Sequence, residues 1–219
     1  MSASAVQMHH RVPRRSWLWQ FLQMLVRILV RLIFDLKVYG RRNVPRRGGA
    51  LLLANHQSFL DPLLFAVMLD RPVCYMAKSE LFEKGRFLPW LIRTLHAFPV
   101  KRGRADVSAM KRAIELLDQG HLVNVYPEGT RTRDGQIGAI LPGVAVIVRR
   151  AAVPIIPAVV DGSFGAWPRG ALLPRPGHIR VMYGPPMQVA GLRSEQIIDL
   201  IDQTLRHMLA ELRRRQCES

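Results

Sequence analysis

From residue 36 onward, short apolar runs alternate with segments whose apolar positions recur every three or four residues. GALLLAN (49–55) carries no polar side chain until its last residue, the pattern of a strand buried on both faces, and DPLLFAVML (61–69) reads as the helix after it. PVCYMA predicts a strand, LFEKGRFLPWLIRTL a helix broken near Pro89, and AFPV another strand. DVSAMKRAIELLDQG (106–120) is amphipathic with a glycine stop, and LVNVY (122–126) is strand-like. LPGVAVIVRRA predicts a helix, VPIIPAVV and IRVMYG two strands, and RSEQIIDLIDQTLRHMLAELRRR a closing helix capped by Ser194. This alternation predicts one α/β domain over residues 36–219, with a largely parallel mixed sheet and helices on both faces.

The first 35 residues follow a different pattern. In SWLWQFLQMLVRILVRLIFDLKVYG, read as a helix, Gln20, Gln23, Arg27, Arg31 and Asp35 form one polar stripe, and large apolar residues cover the remaining surface. No uninterrupted apolar run reaches the ~20 residues that spanning requires. Arg14-Arg15 before an apolar run resembles a secretion signal, but Arg27 breaks the run and no small-residue cleavage site follows. Residues 1–35 are therefore expected to form a basic amphipathic segment lying at a membrane interface, with its arginines reaching lipid phosphates. A helix packed on the protein's own core is the competing reading. The loop DGSFGAWPRGALLPRPG (161–177), with Phe164, Trp167, Leu172 and Leu173, is either a second apolar surface facing lipid or a cover over the sheet edge.

Charge narrows the partners. With 32 Lys and Arg against 16 Asp and Glu, the chain carries +16 and attracts polyanions: nucleic acid, an anionic membrane surface or phosphorylated substrates. Nucleic-acid binding predicts aromatic residues interleaved with the basic ones; here arginines flank glycine loops or an apolar helix instead, which argues against a basic RNA-binding module. The two cysteines, Cys74 and Cys217, form no CxxC pair, so neither a disulfide framework nor a zinc ribbon is expected.

Three loops that follow strands concentrate the candidate chemistry. NHQSFLDP (55–62) puts His56 at the mouth of an apolar strand and Asp61 five residues later. In a strand-to-helix turn the two side chains can meet, the carboxylate fixing one ring nitrogen and leaving the other as a base. Equally, Asp61-Pro62 is what a helix start looks like, with aspartate as cap. YPEGTRTRDG (126–135) offers Gly129 for a sharp turn that exposes amides to an anion, Arg131 and Arg133 as planar donor forks, and Glu128 as either a brace or a substrate contact. PVKRGR (99–104) again sets basic residues beside glycine. Parallel strands bring such loops to one edge of the sheet. No GxSxG, HExxH, GxxxxGK[ST] or GxGxxG is present, so the histidine is expected to activate a substrate hydroxyl without metal or nucleotide.

The order NHQSFLDP, FPVKRGR, VYPEGTRTRDG and VPIIPAVV, spanning residues 55–160, resembles the glycerophospholipid acyltransferases, specifically the bacterial lysophosphatidic acid acyltransferases. The resemblance implies His56 as general base and Asp61 as its orienting partner. It implies Arg102, Glu128, Gly129 and Arg131 as contacts to the glycerol-phosphate end, Pro157 as lining the acyl or acceptor cleft, and Lys78 as added charge nearby. It further implies that lysophosphatidate is acylated by acyl-CoA or acyl carrier protein, with no cofactor, at the cytoplasmic face of the cell membrane. Acylation of another lyso-lipid, such as a lyso-ornithine lipid or lysophosphatidylethanolamine, is the alternative within the same chemistry. Where the family usually shows Phe-Lys-x-Gly, this chain has Ile140-Leu141-Pro142-Gly143, without the lysine.

Overall fold

Ala50–Ala54 are fully buried and form the spine of the domain. The computed structural model describes residues 17–83, 85, 89, 92, 96–100, 106–168 and 170–217. Its first half runs α1 (Trp17–Phe34), β1 (Lys37–Tyr39), a 3-10 turn (Arg41–Asn43), β2 (Ala50–Ala54), α2 (Asp61–Met68), β3 (Val73–Lys78), a 3-10 turn (Ser79–Phe82) and β4 (Ala97–Val100). Then follow α3 (Val107–Asp118), β5 (Leu122–Val125), α4 (Gly143–Arg150), β6 (Ile155–Asp161), a one-turn helix α5 (Ser163–Ala166), β7 (Arg180–Tyr183) and α6 (Ser194–Cys217).

The seven-stranded sheet has the order β1-β7-β6-β2-β5-β3-β4. All neighbours pair in parallel except β6 and β7, so β7 and β1 run against the rest. The carboxyl ends of β2, β3, β4, β5 and β6 therefore lie on one edge, the carboxyl edge, and the loop after β1 opens on the opposite edge. Along β2 the pleat sends Ala50, Leu52 and Ala54 into a core shared with α1 and α2. Leu51 and Leu53 join the core under α3, α4 and α6.

Most elements sit where the periodicity puts them. The edge strand β1 is new: three residues carry too short a pattern to read. Much of LFEKGRFLPWLIRTL lies outside the described residues. Ser194 is not the cap of α6. It is the first helical residue, its Oγ accepting from Arg149 (3.3 Å), while Gln196 Oε1 reaches back to the Arg193 N–H (2.9 Å).

The polar stripe of α1 turns partly inward. Arg27 donates to the carbonyls of Val67 and Leu69 at the end of α2 and to Asp70 Oδ1 (3.1 Å), so it satisfies carbonyls that a helix end leaves open. Its assignment to lipid phosphate is corrected accordingly. Val30 and Phe34 enter the core, yet Phe21, Met24, Leu25, Ile28, Leu29 and Leu32 are exposed, Leu32 at 77%. The helix thus packs by one side and presents a continuous apolar face on the other. Among the described residues no helix is long and apolar enough to cross a membrane. At its end, Asp35 accepts from Arg180 Nη2 and His178 Nδ1, each at 2.9 Å, which ties α1 to the start of β7.

Candidate active site

The turn after β2 begins when the side chain of Asn55 takes over the work of a strand. Its Nδ2 donates to the Val160 carbonyl (3.0 Å) and its Oδ1 accepts from the Val160 N–H (2.8 Å), so the backbone is released from the ladder with its neighbour still satisfied. The chain then curls, and His56 Nδ1 comes to 2.8 Å from Asp61 Oδ2. That same oxygen accepts the N–H groups of Gln57 (2.6 Å) and Ser58 (2.7 Å), and Oδ1 accepts from Ser163 Oγ (2.6 Å).

This geometry decides between the two readings of Asp61. No side chain caps α2, and Asp61 reaches backward to the turn rather than forward to the helix amides; the helix-cap reading is set aside. The carboxylate is fully buried. Because a carboxylate only accepts, Nδ1 carries the ring proton and Nε2 keeps its lone pair. Nε2 has no partner among the described residues, and it is the atom available to take a proton. The imidazole also stacks on Tyr126, centroids 3.9 Å apart and planes at 15°. Burial pushes the Tyr126 phenol well above its ordinary range, so the ring under the histidine is a neutral aromatic face.

Glu128 is a brace. Its Oε1 accepts the His56 N–H (2.9 Å) and its Oε2 the Gly138 N–H (2.7 Å). Burial raises the Glu128 carboxyl, against the opposing pull of these two amides. Each of its two oxygens thus holds one backbone amide of the site in place. Thr132 N donates to the His56 carbonyl (2.8 Å), so the 126–135 loop holds His56 from both sides of its backbone. Gly129 sits at φ +65°, and a Cβ there would meet Leu141 Cδ1 at 2.4 Å. Its own N–H closes the turn onto Tyr126 O (3.0 Å) and is not open to an anion. Arg131 lies with its guanidinium 3.6 Å above the ring of Phe59, three residues along the same turn from His56.

The remaining expected contacts scatter. Arg102 lies outside the described residues. Lys78 ends β3 on the carboxyl edge and pairs with Glu80 (3.2 Å) rather than joining the His56 cluster. Pro157 is buried within β6, its carbonyl accepting from Gly184 N (2.8 Å); it is brought to the core and not to the His56 cluster. Cys74 is buried, and desolvation pushes its thiol up to about 11, leaving no thiolate near neutral pH.

Three residues were not anticipated. Ser163 holds the far oxygen of Asp61. Gln57 Nε2 donates to Asp161 Oδ1 and to the Gly135 carbonyl, each at 3.1 Å. Arg213 from α6 reaches the same two acceptors (3.1 and 2.9 Å) and locks the loops from outside. All lie where β6 and α6 meet the carboxyl edge. The 161–177 loop is fastened over that edge, Ser58 Oγ donating to the Trp167 carbonyl (3.0 Å), while Leu172 and Leu173 stay exposed.

This chain is 27% identical to a 1-acyl-sn-glycerol-3-phosphate acyltransferase of Bacillus subtilis, over 89% of its own length and 96% of the relative's. It is 25% identical to the enzyme of that name from Pseudomonas aeruginosa, over 87% of this chain and 73% of that one. The crystal structure of the 1-acyl-sn-glycerophosphate acyltransferase PlsC from Thermotoga maritima superposes with a TM-score of 0.76 at 26% identity, covering 89% of this chain and 79% of that one. The Acyltransferase family profile matches residues 35–161, more than half of the chain, from the end of α1 to the end of β6, and so takes in His56, Asp61, Tyr126 and Glu128; the chain belongs to the Acyltransferase family.

Proposed function

We propose that the protein transfers a fatty acyl group from the thioester of acyl-CoA or acyl carrier protein to the sn-2 hydroxyl of lysophosphatidate, forming phosphatidate. The observation that carries this reading is the unengaged Nε2 of His56, on an imidazole whose other nitrogen is fixed by a buried, fully hydrogen-bonded Asp61. His56 Nε2 takes the hydroxyl proton as the oxygen attacks the thioester carbonyl. The tetrahedral intermediate collapses with cleavage of the C–S bond, and the departing thiolate recovers the proton from the imidazolium. Asp61 stabilises that imidazolium while it exists. Arg131, with Arg102, binds the acceptor phosphate; Glu128 and Gly129 shape the loop that presents Arg131. The apolar face of α1 holds the protein peripherally on the cytoplasmic side of the membrane, which brings the carboxyl edge to its lipid substrate.

The test uses purified protein in detergent with radiolabelled lysophosphatidate, lyso-ornithine lipid and lysophosphatidylethanolamine, against a panel of acyl-CoA and acyl carrier protein donors. Phosphatidate formation that depends on His56 is expected. Acylation of either other acceptor with lysophosphatidate left untouched overturns the reading.

A further inference from the structure

On the edge of the sheet opposite His56 lies a cavity of about 860 Å³, lined by Arg41, Arg42, Arg46, Arg47, Arg71 and Asp70 among others. Its arginines divide into two sets. Arg71 clamps the loop between β1 and β2, donating to the carbonyls of Pro45 (2.9 Å), Gly48 (2.7 Å) and Gly120 (2.8 Å). Arg41 is paired with Asp70, which Arg27 of α1 also holds. Burial works to raise the Asp70 carboxyl, but hydrogen bonds and charge from Arg27 and Arg41 outweigh it and keep it ionised. The cavity's one acid is thereby neutralised by two arginines. Arg42, Arg46 and Arg47 are exposed and have no partner among the described residues.

The loop bearing these three is anchored firmly. Gly40 sits at φ +66° where a Cβ would meet the Tyr183 carbonyl at 2.0 Å, Asn43 Nδ2 donates to that carbonyl (2.9 Å), and Val44 is buried. A rigid frame holding three unneutralised guanidinium forks is an anion receptor. Through Asp70 it adjoins α1, whose outer face is apolar. Apolar insertion beside a basic concavity is the chemistry of an anionic bilayer surface. An acidic carrier protein fits the charge but not the place. Its thioester must reach His56, and β2 with its flanks separates the two edges by roughly 20 Å.

We infer that this cavity is a second lipid site, in which Arg42, Arg46 and Arg47 hold the phosphate headgroups of anionic bilayer lipid while α1 inserts alongside. It rests on the peripheral attachment proposed above, but not on the identity of the acyl acceptor. The site sets which membranes the enzyme occupies and anchors the edge remote from the reaction.

The test compares the full chain with the triple variant Arg42→Gln, Arg46→Gln, Arg47→Gln on vesicles of phosphatidylcholine with and without phosphatidylglycerol. A control triple, Arg149→Gln, Arg150→Gln, Arg193→Gln, removes equal charge from exposed positions elsewhere. The cavity variant is expected to lose roughly a hundredfold in binding to phosphatidylglycerol vesicles, at about fivefold per arginine. It should keep its affinity for neutral vesicles and its activity on short-chain lysophosphatidate in solution. A triple lysine variant should retain most of the preference, which guards against misfolding of the glutamine form. Equal loss in the control triple reduces the effect to bulk charge and overturns the site. Unchanged vesicle binding with selective loss of carrier-protein thioester as donor overturns it too, in favour of a carrier dock. Loss of short-chain activity with vesicle binding intact would place the arginines in catalysis and refute the proposal, while loss of lysophosphatidate use in wild type alone counts only against the acceptor assignment.

Discussion

The two edges of the sheet treat charge in opposite ways. At the carboxyl edge polar groups are enclosed: Asp61 receives four hydrogen bonds, Glu128 receives two, and His56 is held by ring and backbone alike. At the other edge Arg71 and Arg41 build a frame, and three further arginines are left to solvent. Enclosure fixes a proton's position, which chemistry on a hydroxyl requires. Openness suits a partner that is itself a surface. Net charge alone says little here: what matters is whether a charge's hydrogen-bonding capacity is already spent within the fold.

The sharpest way to separate the edges is His56→Ala. Removing the base should lower turnover by about 10²–10⁴ without altering vesicle binding, measured by phosphatidate formation and by co-sedimentation. If vesicle binding falls in parallel, the edges are not independent. Asp61→Asn comes next. The asparagine amide presents N–H to donors that need an acceptor, so turnover should fall at least a hundredfold and stability by about 1–3 kcal/mol. Full activity in that variant would return Asp61 to a structural role. Ser163→Ala removes one charge-assisted hydrogen bond, worth ~1.5–3 kcal/mol, and should cost ten- to a hundredfold in kcat with KM for lysophosphatidate unchanged. A rise in KM alone would move Ser163 from positioning to binding.

The smallest effect concerns how α1 is pinned, at the carboxyl edge through Asp35 and at the other through Asp70. Hydrogen bonds from His178 and Arg180 hold the Asp35 carboxyl at about 2 instead of its ordinary 3.8. A depressed acid contributes stability above its unfolded value and loses it as pH falls through the folded one. Denaturant midpoints of wild type and Asp35→Asn should therefore differ above pH 4 and converge by about pH 2, the window set by those two values. Parallel curves would mean that the pin contributes nothing.

The alternation of strand and helix was legible because burial writes itself into periodicity, as in Ala50–Ala54 and in α3, where Asp106 caps by accepting from Ala109 N (3.0 Å). His56 and Asp61 were legible as candidates through spacing; that they touch was not, because a turn's path depends on Asn55 pairing with Val160 across 105 positions of sequence. Ser163, Gln57 and Arg213 left no local mark. Each acts through tertiary placement at the carboxyl edge, and only the strand order brings them there. The inward turn of Arg27 was hidden for the same reason: its partners are carbonyls of α2, and carbonyls have no sequence.

His56 is gripped through its amide by Glu128 and through its carbonyl by Thr132. The NHQSFLDP and YPEGTRTRDG segments are consequently one mechanical part cut from two places in the gene. Grafting the second segment alone from a relative, to change which acceptor is used, would replace the mount of the base along with the binding loop. Recombination that respects the part must carry both segments together, and natural lineages are expected to have drifted in the two as a pair.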